Sequence, residues 1–412
     1  MDYHPLFDLT SVFLLIVITA GFTPPSSFLR IACLPVLTCL TWHCVSRCPD
    51  YFARSSWASA VGGYTTSSLL HYVDVVLLNR WSFDAQGPAK NGLLVRGASR
   101  VSGGSAEPQP RAAQPSYPPP GAKARLMFGV SVFFSWRFIN TPYQVRNVPT
   151  LDAKLHSRRR FLLDTGLTII VCYLILDAMN SSQNDDYMAE EFYSLDKIGL
   201  FSRIREVTLR ELVMRFFAAV GLGAGLVSFQ RGVYSIAAFV CVAARLSSPL
   251  DWPPFNGPIS RISSLRYFWS IFWHQINSHR LDAMANYVIH DVCRLRRGGR
   301  PARYIRPCMI FLISGLWHVV IDVSSGISMQ DSGALPFFLI QPLGIFIEDL
   351  VRSRGLTKAF PSVVQSCFGF LWVGLWMAWT APAYLYPIIN ASKPGDGVVP
   401  FSIIGYVKGR LE

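Results

Sequence analysis

Long apolar stretches recur along this chain of 412 residues and restrict its fold more than any other feature. A transmembrane helix needs about 20 mostly apolar residues, and eight or nine stretches approach that length. Inside lipid, backbone N–H and C=O groups must hydrogen-bond to each other. A stretch of this length achieves this by forming an α-helix. The sequence therefore predicts an all-α polytopic membrane protein, a single membrane-embedded domain over residues 1–412. The stretches are residues 8–23, 29–46, 58–79, 161–179, 208–227, 231–246, 307–322, 335–351 and 363–389.

Charged residues are few and unevenly placed. They make up 15% of the chain, against 51% hydrophobic residues, and the formal net charge is +13. Residues 80–160 carry thirteen Lys or Arg against three acidic residues and residues 245–306 carry ten against three, whereas residues 180–206 carry six acidic residues against three basic ones. Because cytosolic loops are enriched in Lys and Arg, we place the first two segments in the cytosol and the third in the lumen. Membrane orientation explains the positive net charge. We therefore expect the protein to have a lipid bilayer as its partner and not nucleic acid. We expect it to be a multi-pass protein of the endoplasmic reticulum.

Residues 208–246 present a conflict. The sequence GLGAG at 221–225 separates two apolar halves, which we interpret as two segments. Two full spans would return the chain to the lumen and place residues 245–306 there, against their charge. We therefore expect one of the halves to be re-entrant or tilted.

Three further segments complete the predicted layout. The first apolar run lacks a preceding Lys or Arg and a clear cleavage site, so it is interpreted as a retained helix. Residues 86–123 are rich in Gly, Pro, Ser and Ala, and we expect a disordered cytosolic insertion there. Asn180 and Asn390 lie in N-x-[ST] sequences within predicted lumenal segments and are candidate glycosylation sites.

His318 is the residue that most strongly indicates chemistry. It lies near the end of a run from residue 307 to 321 that contains no charged residue. An ionisable side chain inside a membrane is costly and usually functional or partnered, and a neutral imidazole can act as a general base. On a helix, Ser314, His318 and Asp322 share one face. Asp322 is thus a candidate for orienting the ring, or a plain helix-end residue, and Gly315 leaves backbone surface open to a substrate.

A second candidate segment begins near Ser264 and is dense in aromatic residues, as expected for a helix at the membrane interface. His274, His279 and His290 follow at spacings that do not suit a metal site. The nine cysteines contain no CxxC pair and indicate neither a disulfide framework nor zinc. Taken alone, His274 fits an interfacial histidine bonded to a headgroup or to backbone.

Two short motifs give these histidines a context. The sequence FWSIFWHQ at 268–275, followed by SGLWHVV at 314–320, resembles the two signatures of the membrane-bound O-acyltransferase superfamily in its wax-synthase-like branch. Within that branch the length and layout look most like fungal acetyltransferases that modify terpenoid and meroterpenoid products. Further stretches that fit the branch are residues 68–83, 135–149, 247–258 and 341–349.

The resemblance implies a bundle of membrane helices with a buried tunnel, entered by acyl-CoA from the cytosol. The family's catalytic histidine matches His318, and its second signature position matches His274. Neighbouring Trp273, Gln275 and Trp317 become candidate residues for binding substrate or CoA.

This sequence departs from many relatives at residues 270–272, where Ser, Ile and Phe stand in place of polar or basic residues. A contact with the CoA phosphates would then fall to Arg266, Arg280 or the run RLRRGGR at 294–300. Such a basic run equally fits membrane orientation or anionic lipid binding.

We expect an acyl-CoA-dependent O-acyltransferase that acetylates a hydroxyl of an apolar, terpenoid-like molecule, with acetyl-CoA as co-substrate and neither a tightly bound cofactor nor a metal. His318 would be the general base, and His274 would position the thioester or stabilise developing charge. One alternative is a long-chain wax or sterol ester synthase. Another is a proton-coupled secondary transporter with His318 and Asp322 as a relay, although neither half of the chain repeats the other. The sequence does not predict the acceptor or the oligomeric state.

Overall fold

The computed structural model describes residues 3–89, 121–181, 190–355, 361–393 and 396–408. These residues are largely helical and contain one isolated β-bridge, between Ser82 and Gly87. The insertion predicted at 86–123 lies mostly outside the described residues. The helices are α1 (Leu6–Phe22), α2 (Leu29–Tyr51), α3 (Ser55–Tyr72), α4 (Ala122–Phe134), α5 (Arg158–Ser181), α6 (Leu209–Ala243), α7 (Ser278–Asn286), α8 (Arg300–Ser324), α9 (Ala334–Ser353), α10 (Ser362–Ala391) and α11 (Ile403–Lys408). Turns of π-helix occur at Val73–Leu78, Phe268–Phe272 and Tyr287–Val292.

Six helices in the described ranges are long and apolar enough to cross a membrane, namely α2, α5, α6, α8, α9 and α10. The predicted all-α polytopic class is confirmed. The number of spans supported by length and composition is six, against the eight or nine predicted from sequence. α1 is apolar but only 17 residues long. α3 has 18 residues and is rich in Ser, Thr and Gly, and residues 208–246 supply one helix where the sequence indicated two.

Two hydrophobic clusters form most of the core. The first joins α1 to α4 and includes Ile16, Tyr72 and Phe133, all nearly inaccessible. The second is built by α8, α9, α10 and the aromatic segment before α7, and it includes Phe338 and Trp376. Close contacts of α8 with α3 and with α9 place α8 between the two clusters.

The prediction of two segments between 208 and 246, one of them re-entrant, is wrong, whereas a tilt of this region relative to the membrane stays a prediction. α6 is a single helix of 35 residues, about 52 Å long at 1.5 Å per residue. It passes through Gly221 and Gly223, where an added Cβ would meet open space. A helix interrupted in lipid would expose unpaired backbone groups, which makes continuity the cheaper arrangement despite the glycines. One crossing would also resolve the charge conflict, since residues 190–206 and 245–306 then lie on opposite sides of the bilayer.

Loop contacts at the two ends of the bundle agree with this arrangement. At one end Arg54 donates a hydrogen bond of 2.7 Å to the carbonyl of Gly397, and Asp177 accepts the backbone N–H groups at the start of α11. At the other end Arg158 donates to the carbonyl of Val242 at 3.0 Å. The contacts therefore divide the loops between two ends of the bundle, and the charge distribution divides them in the same way between lumen and cytosol.

We expect an epitope inserted after Gly199 to be protected from protease in sealed microsomes, and one inserted at Gly298 to be digested. The reason is that α6 crosses the bilayer once between the two positions. Immunoblots before and after detergent permeabilisation measure this. Equal accessibility of both epitopes would contradict a single crossing.

Candidate active site

His318 lies on α8 with its ring orientation fixed from within the helix. Its Nδ1 is 2.7 Å from the carbonyl oxygen of Ser314, one turn earlier. A carbonyl only accepts hydrogen bonds, so Nδ1 carries the proton and Nε2 of the neutral ring keeps its lone pair. The ring is half-buried, which leaves part of its surface for a ligand.

Aromatic side chains surround this ring. Its centroid is 4.4 Å from that of Phe338 on α9, 5.2 Å from Trp317 and 6.0 Å from Tyr384 on α10. Tyr384 is only 9% exposed, and its ring meets the imidazole edge-on. Sequence reasoning missed Tyr384 because it lies in an apolar run that looks like ordinary core. Three helices therefore enclose His318 in a low-polarity site.

Asp322 is held away from the orienting position on the ring. Its carboxylate accepts a hydrogen bond of 2.5 Å from the hydroxyl of Ser332, in the loop before α9. His318 Nδ1 instead donates to the backbone carbonyl of Ser314. Asp322 therefore ties the end of α8 to that loop.

The prediction that Gly315 leaves backbone open to a substrate is wrong. An added Cβ there would lie 3.1 Å from Leu335 Cδ1 and 3.3 Å from Phe338 Cβ. The missing side chain lets α9 pack closely against α8. Phe338 thereby reaches the His318 ring.

His274 follows the π-helical turn Phe268–Phe272, which ends with a 2.7 Å hydrogen bond from the N–H of Trp273 to the carbonyl of Phe268. Its ring centroid lies 5.3 Å from Trp273 and 5.8 Å from Phe255. Nδ1 is buried and has no hydrogen-bond partner within the described part of the chain. A buried polar atom left open in this way is available to a ligand or to a water molecule.

Burial, with smaller contributions from the nearby His318 and Arg280, lowers the pKa of His274 to about 3. His274 is therefore neutral at physiological pH, with one N–H to donate. Ring contacts link the two histidines. Trp273, which packs on His274, lies 5.9 Å from Trp269 between ring centroids, and Trp269 lies 6.0 Å from Phe338, which packs on His318.

The segment that carries His274 is anchored at both ends. At its start, the Glu348 carboxylate on α9 accepts the backbone N–H of Arg266 at 3.2 Å. At its end, the His279 ring on α7 bonds Asp74 at 2.6 Å, and Arg280 donates to the carbonyl of Ser67 at 2.7 Å. Burial opposes protonation of His279, but the Asp74 carboxylate outweighs it and raises the pKa of this histidine. These bonds fix the aromatic segment between α3 and α9.

The candidate binding residues beside the histidines also present open polar atoms. Gln275 is 1% exposed and donates to the carbonyl of Ile271 at 2.7 Å, while its Oε1 has no partner among the residues described. Trp317 packs against His318, and its indole N–H is likewise buried without a described partner. Trp273 packs against Phe268, with ring centroids 5.8 Å apart.

Arg266 and Arg280, two of the candidates for contact with the CoA phosphates, bind other groups of the protein. Arg266 pairs with Asp349 at 2.6 Å. Arg280 is 1% exposed and lies 4.4 Å over the Trp136 ring, in addition to its bond to Ser67. The arginines of the run 294–300 are exposed. Arg266 is exposed too, but it is paired with Asp349, whereas Arg280 is buried.

The candidate glycosylation sites lie in the last turns of two helices. Asn180 packs against Gly397, where an added Cβ would lie 1.5 Å from its Oδ1. Nδ2 of Asn390, the atom a glycan would join, donates to the carbonyls of Tyr193 and Tyr386 at 2.7 and 2.9 Å. Glycosylation of Asn390 replaces one of the two Nδ2 hydrogens, so it would require the loss of at least one of these bonds.

The fold and the site define a multi-pass membrane protein that encloses two neutral histidines among aromatic side chains. Residues 252–340 match the family described as membrane bound O-acyl transferase. The chain belongs to this membrane-bound O-acyltransferase family and is an O-acyltransferase. The resemblance seen in the two motifs is confirmed, and the enzyme is supported over the transporter.

Curated relatives cover most of the chain. Acetyltransferase aurG of Calcarisporium arbuscula is 31% identical over 380 residues, which cover 91% of this chain and 90% of the relative. Acetyltransferase ataH of Aspergillus terreus is 30% identical over 68% of this chain and 95% of its own length. Acetyltransferase fsoF of Humicola fuscoatra is 29% identical over 83% of this chain and 85% of its own length. No solved structure was found to match the chain.

We expect Asp322→Asn and Ser332→Ala each to lower the rate of acyl transfer by less than about tenfold. Each variant weakens or removes the hydrogen bond between Asp322 and Ser332, which does not involve the His318 ring. The double variant should be no worse than the more affected single one, since the two residues act through the same contact. Initial rates in membranes, normalised to protein amount, measure this. A loss of about 100-fold or more in Asp322→Asn alone would instead support Asp322 as an orienting residue.

Proposed function

We propose that the enzyme transfers an acetyl group from acetyl-CoA to a hydroxyl of an apolar, terpenoid-like acceptor in the endoplasmic reticulum membrane. The observation that carries the proposal is the tautomer of His318, whose Nδ1–H is bound to Ser314 and whose Nε2 is open inside an aromatic enclosure. Relatives named as fungal acetyltransferases support acetyl as the acyl group.

In this mechanism Nε2 of His318 accepts the proton of the acceptor hydroxyl as its oxygen attacks the thioester carbon. The neutral His274 donates its N–H to the carbonyl oxygen, where negative charge develops. The carbon–sulfur bond then breaks, the ester leaves with the acetyl group, and the CoA thiolate takes the proton from the His318 imidazolium. Each proton and electron pair is accounted for without an acyl-enzyme.

A membrane site suits these two substrates. The acceptor partitions into lipid, whereas CoA is charged and stays in water. The aromatic enclosure of His318 provides the apolar side of such a site, and the exposed arginines at 294–300 are available on the side of the bundle that the charge pattern assigns to the cytosol.

We expect His318→Ala to reduce transfer by at least about 100-fold, because a positioned base contributes that much or more. Membranes would be incubated with radiolabelled acetyl-CoA and terpenoid alcohols, and label in organic-extractable ester would be counted. The matched control is His156→Ala, which removes an exposed histidine and should leave the rate unchanged.

Undiminished ester formation in His318→Ala would rule out the proposed base. Replacing acetyl-CoA with oleoyl-CoA tests the acyl group. Faster transfer from oleoyl-CoA by the wild-type enzyme would point to long-chain ester synthesis instead.

We expect the triple variant Arg294→Gln, Arg296→Gln, Arg297→Gln to raise the KM for acetyl-CoA about tenfold, because hydrogen bonds between charged groups are the strong ones. The KM for acetyl-pantetheine, which lacks the nucleotide phosphates, should not change. An equal rise in the KM for acetyl-CoA and for acetyl-pantetheine would indicate that the arginines at 294–300 contact lipid or set the membrane orientation instead.

A further inference from the structure

The loop from Trp252 to Gly257 enters the active site beside His274. Phe255 of this loop packs on the His274 ring at 5.8 Å. The next residue, Asn256, has both its Nδ2 and its Oδ1 buried, and neither atom has a hydrogen-bond partner in the ranges that the structure describes. A carboxamide with both functions open inside a protein indicates a ligand with a complementary donor and acceptor.

The loop is held firmly from one side. Arg137, only 5% exposed, donates to the carbonyls of Pro253 at 3.0 Å and Pro254 at 2.9 Å. The Tyr234 hydroxyl on α6 donates to the same Pro253 carbonyl at 2.8 Å. Two prolines restrict the backbone further. Asn256 is thus presented by a loop with little freedom to turn it elsewhere.

The loop is also fixed to the segment that carries His274. The backbone N–H of Gly257 donates to the carbonyl of Phe272 at 3.1 Å. A Cβ at Gly257 would lie 2.6 Å from the carbonyl oxygen of Ile271, so only glycine permits this approach. The open carboxamide of Asn256 and the open Nδ1 of His274 therefore belong to one rigid unit.

The open atoms near the histidines select the chemistry of the ligand. Oδ1 of Asn256 and Oε1 of Gln275 are acceptors, and they require donors from a ligand. The indole N–H of Trp317 and Nδ2 of Asn256 are donors, and they require acceptors. A terpenoid-like alcohol has few N–H or O–H donors. The pantetheine arm of CoA carries two amides, each with one N–H and one carbonyl.

We propose that Asn256 is a binding residue for an amide of the pantetheine arm, placed by the loop that Arg137 and Gly257 secure. This inference rests on the proposed function, in which CoA is the donor. The loop follows the end of α6 on the side assigned to the cytosol, which is the side from which CoA would enter. Asn256 thereby sets how far the thioester reaches toward His274 and His318.

Binding to purified full-length protein tests this without knowledge of the acceptor. Titration calorimetry would compare CoA, pantetheine and 3′-phospho-ADP, the last of which lacks the pantetheine arm. In Asn256→Leu we expect about tenfold weaker binding of CoA and pantetheine and unchanged binding of 3′-phospho-ADP. The matched control is Ser260→Leu, which places the same side chain at an exposed position of the same region and should bind all three ligands as the wild type does.

Unchanged CoA binding in Asn256→Leu, or an equal loss for all three ligands, would overturn the assignment. The comparison is made within one variant, so a lower yield of folded protein does not mimic the expected pattern. If Asn256→Leu does not accumulate, Asn256→Ser removes the amide with less change and is judged by the same ratio. Wild-type protein that binds CoA but acetylates no alcohol would defeat the proposed function alone, whereas wild-type protein that binds none of the three ligands would overturn both.

Discussion

A single hydrogen bond from His318 Nδ1 to the carbonyl of Ser314 determines what the centre of this protein can do. It uses a backbone acceptor of the same helix, so the ring needs no carboxylate to choose its tautomer. A charged partner would have added a second costly group within the membrane. With Nε2 left open, the remaining requirement is that other helices close around the ring, and Phe338 and Tyr384 do so.

The second histidine is placed by a different strategy. His274 lies in an irregular segment, where a π-helical turn and a loop would be mobile without tethers. Ionic and backbone hydrogen bonds through Glu348, His279 and Arg280 supply these tethers at both ends. A regular helix thus positions His318, while a network of polar contacts positions His274, and the two parts meet at α8.

The sequence was sufficient for the class of fold and for the family, because apolar length and the two motifs are local signals, while the roles of the two histidines stay predictions. It failed at Gly315, whose role depends on the partner helix α9, and at residues 208–246, where glycines suggested a break that lipid disfavours. Asn256 and Tyr384 could not be predicted, since one looks like a loop residue and the other like core. Their surroundings depend on which elements meet, a property that spacing along the chain does not encode.

The length of α6 has a consequence for the bilayer itself. A helix of about 52 Å exceeds a hydrocarbon core of about 30 Å, so α6 must lean or extend into the headgroup region. Its first turns carry a buried pair, Arg215 with Glu211 at 3.0 Å, and only eight of its 35 residues are buried. Of the described helices, α6 therefore exceeds the thickness of the hydrocarbon core by the most. We expect its tilt to respond most strongly to the thickness of the surrounding membrane.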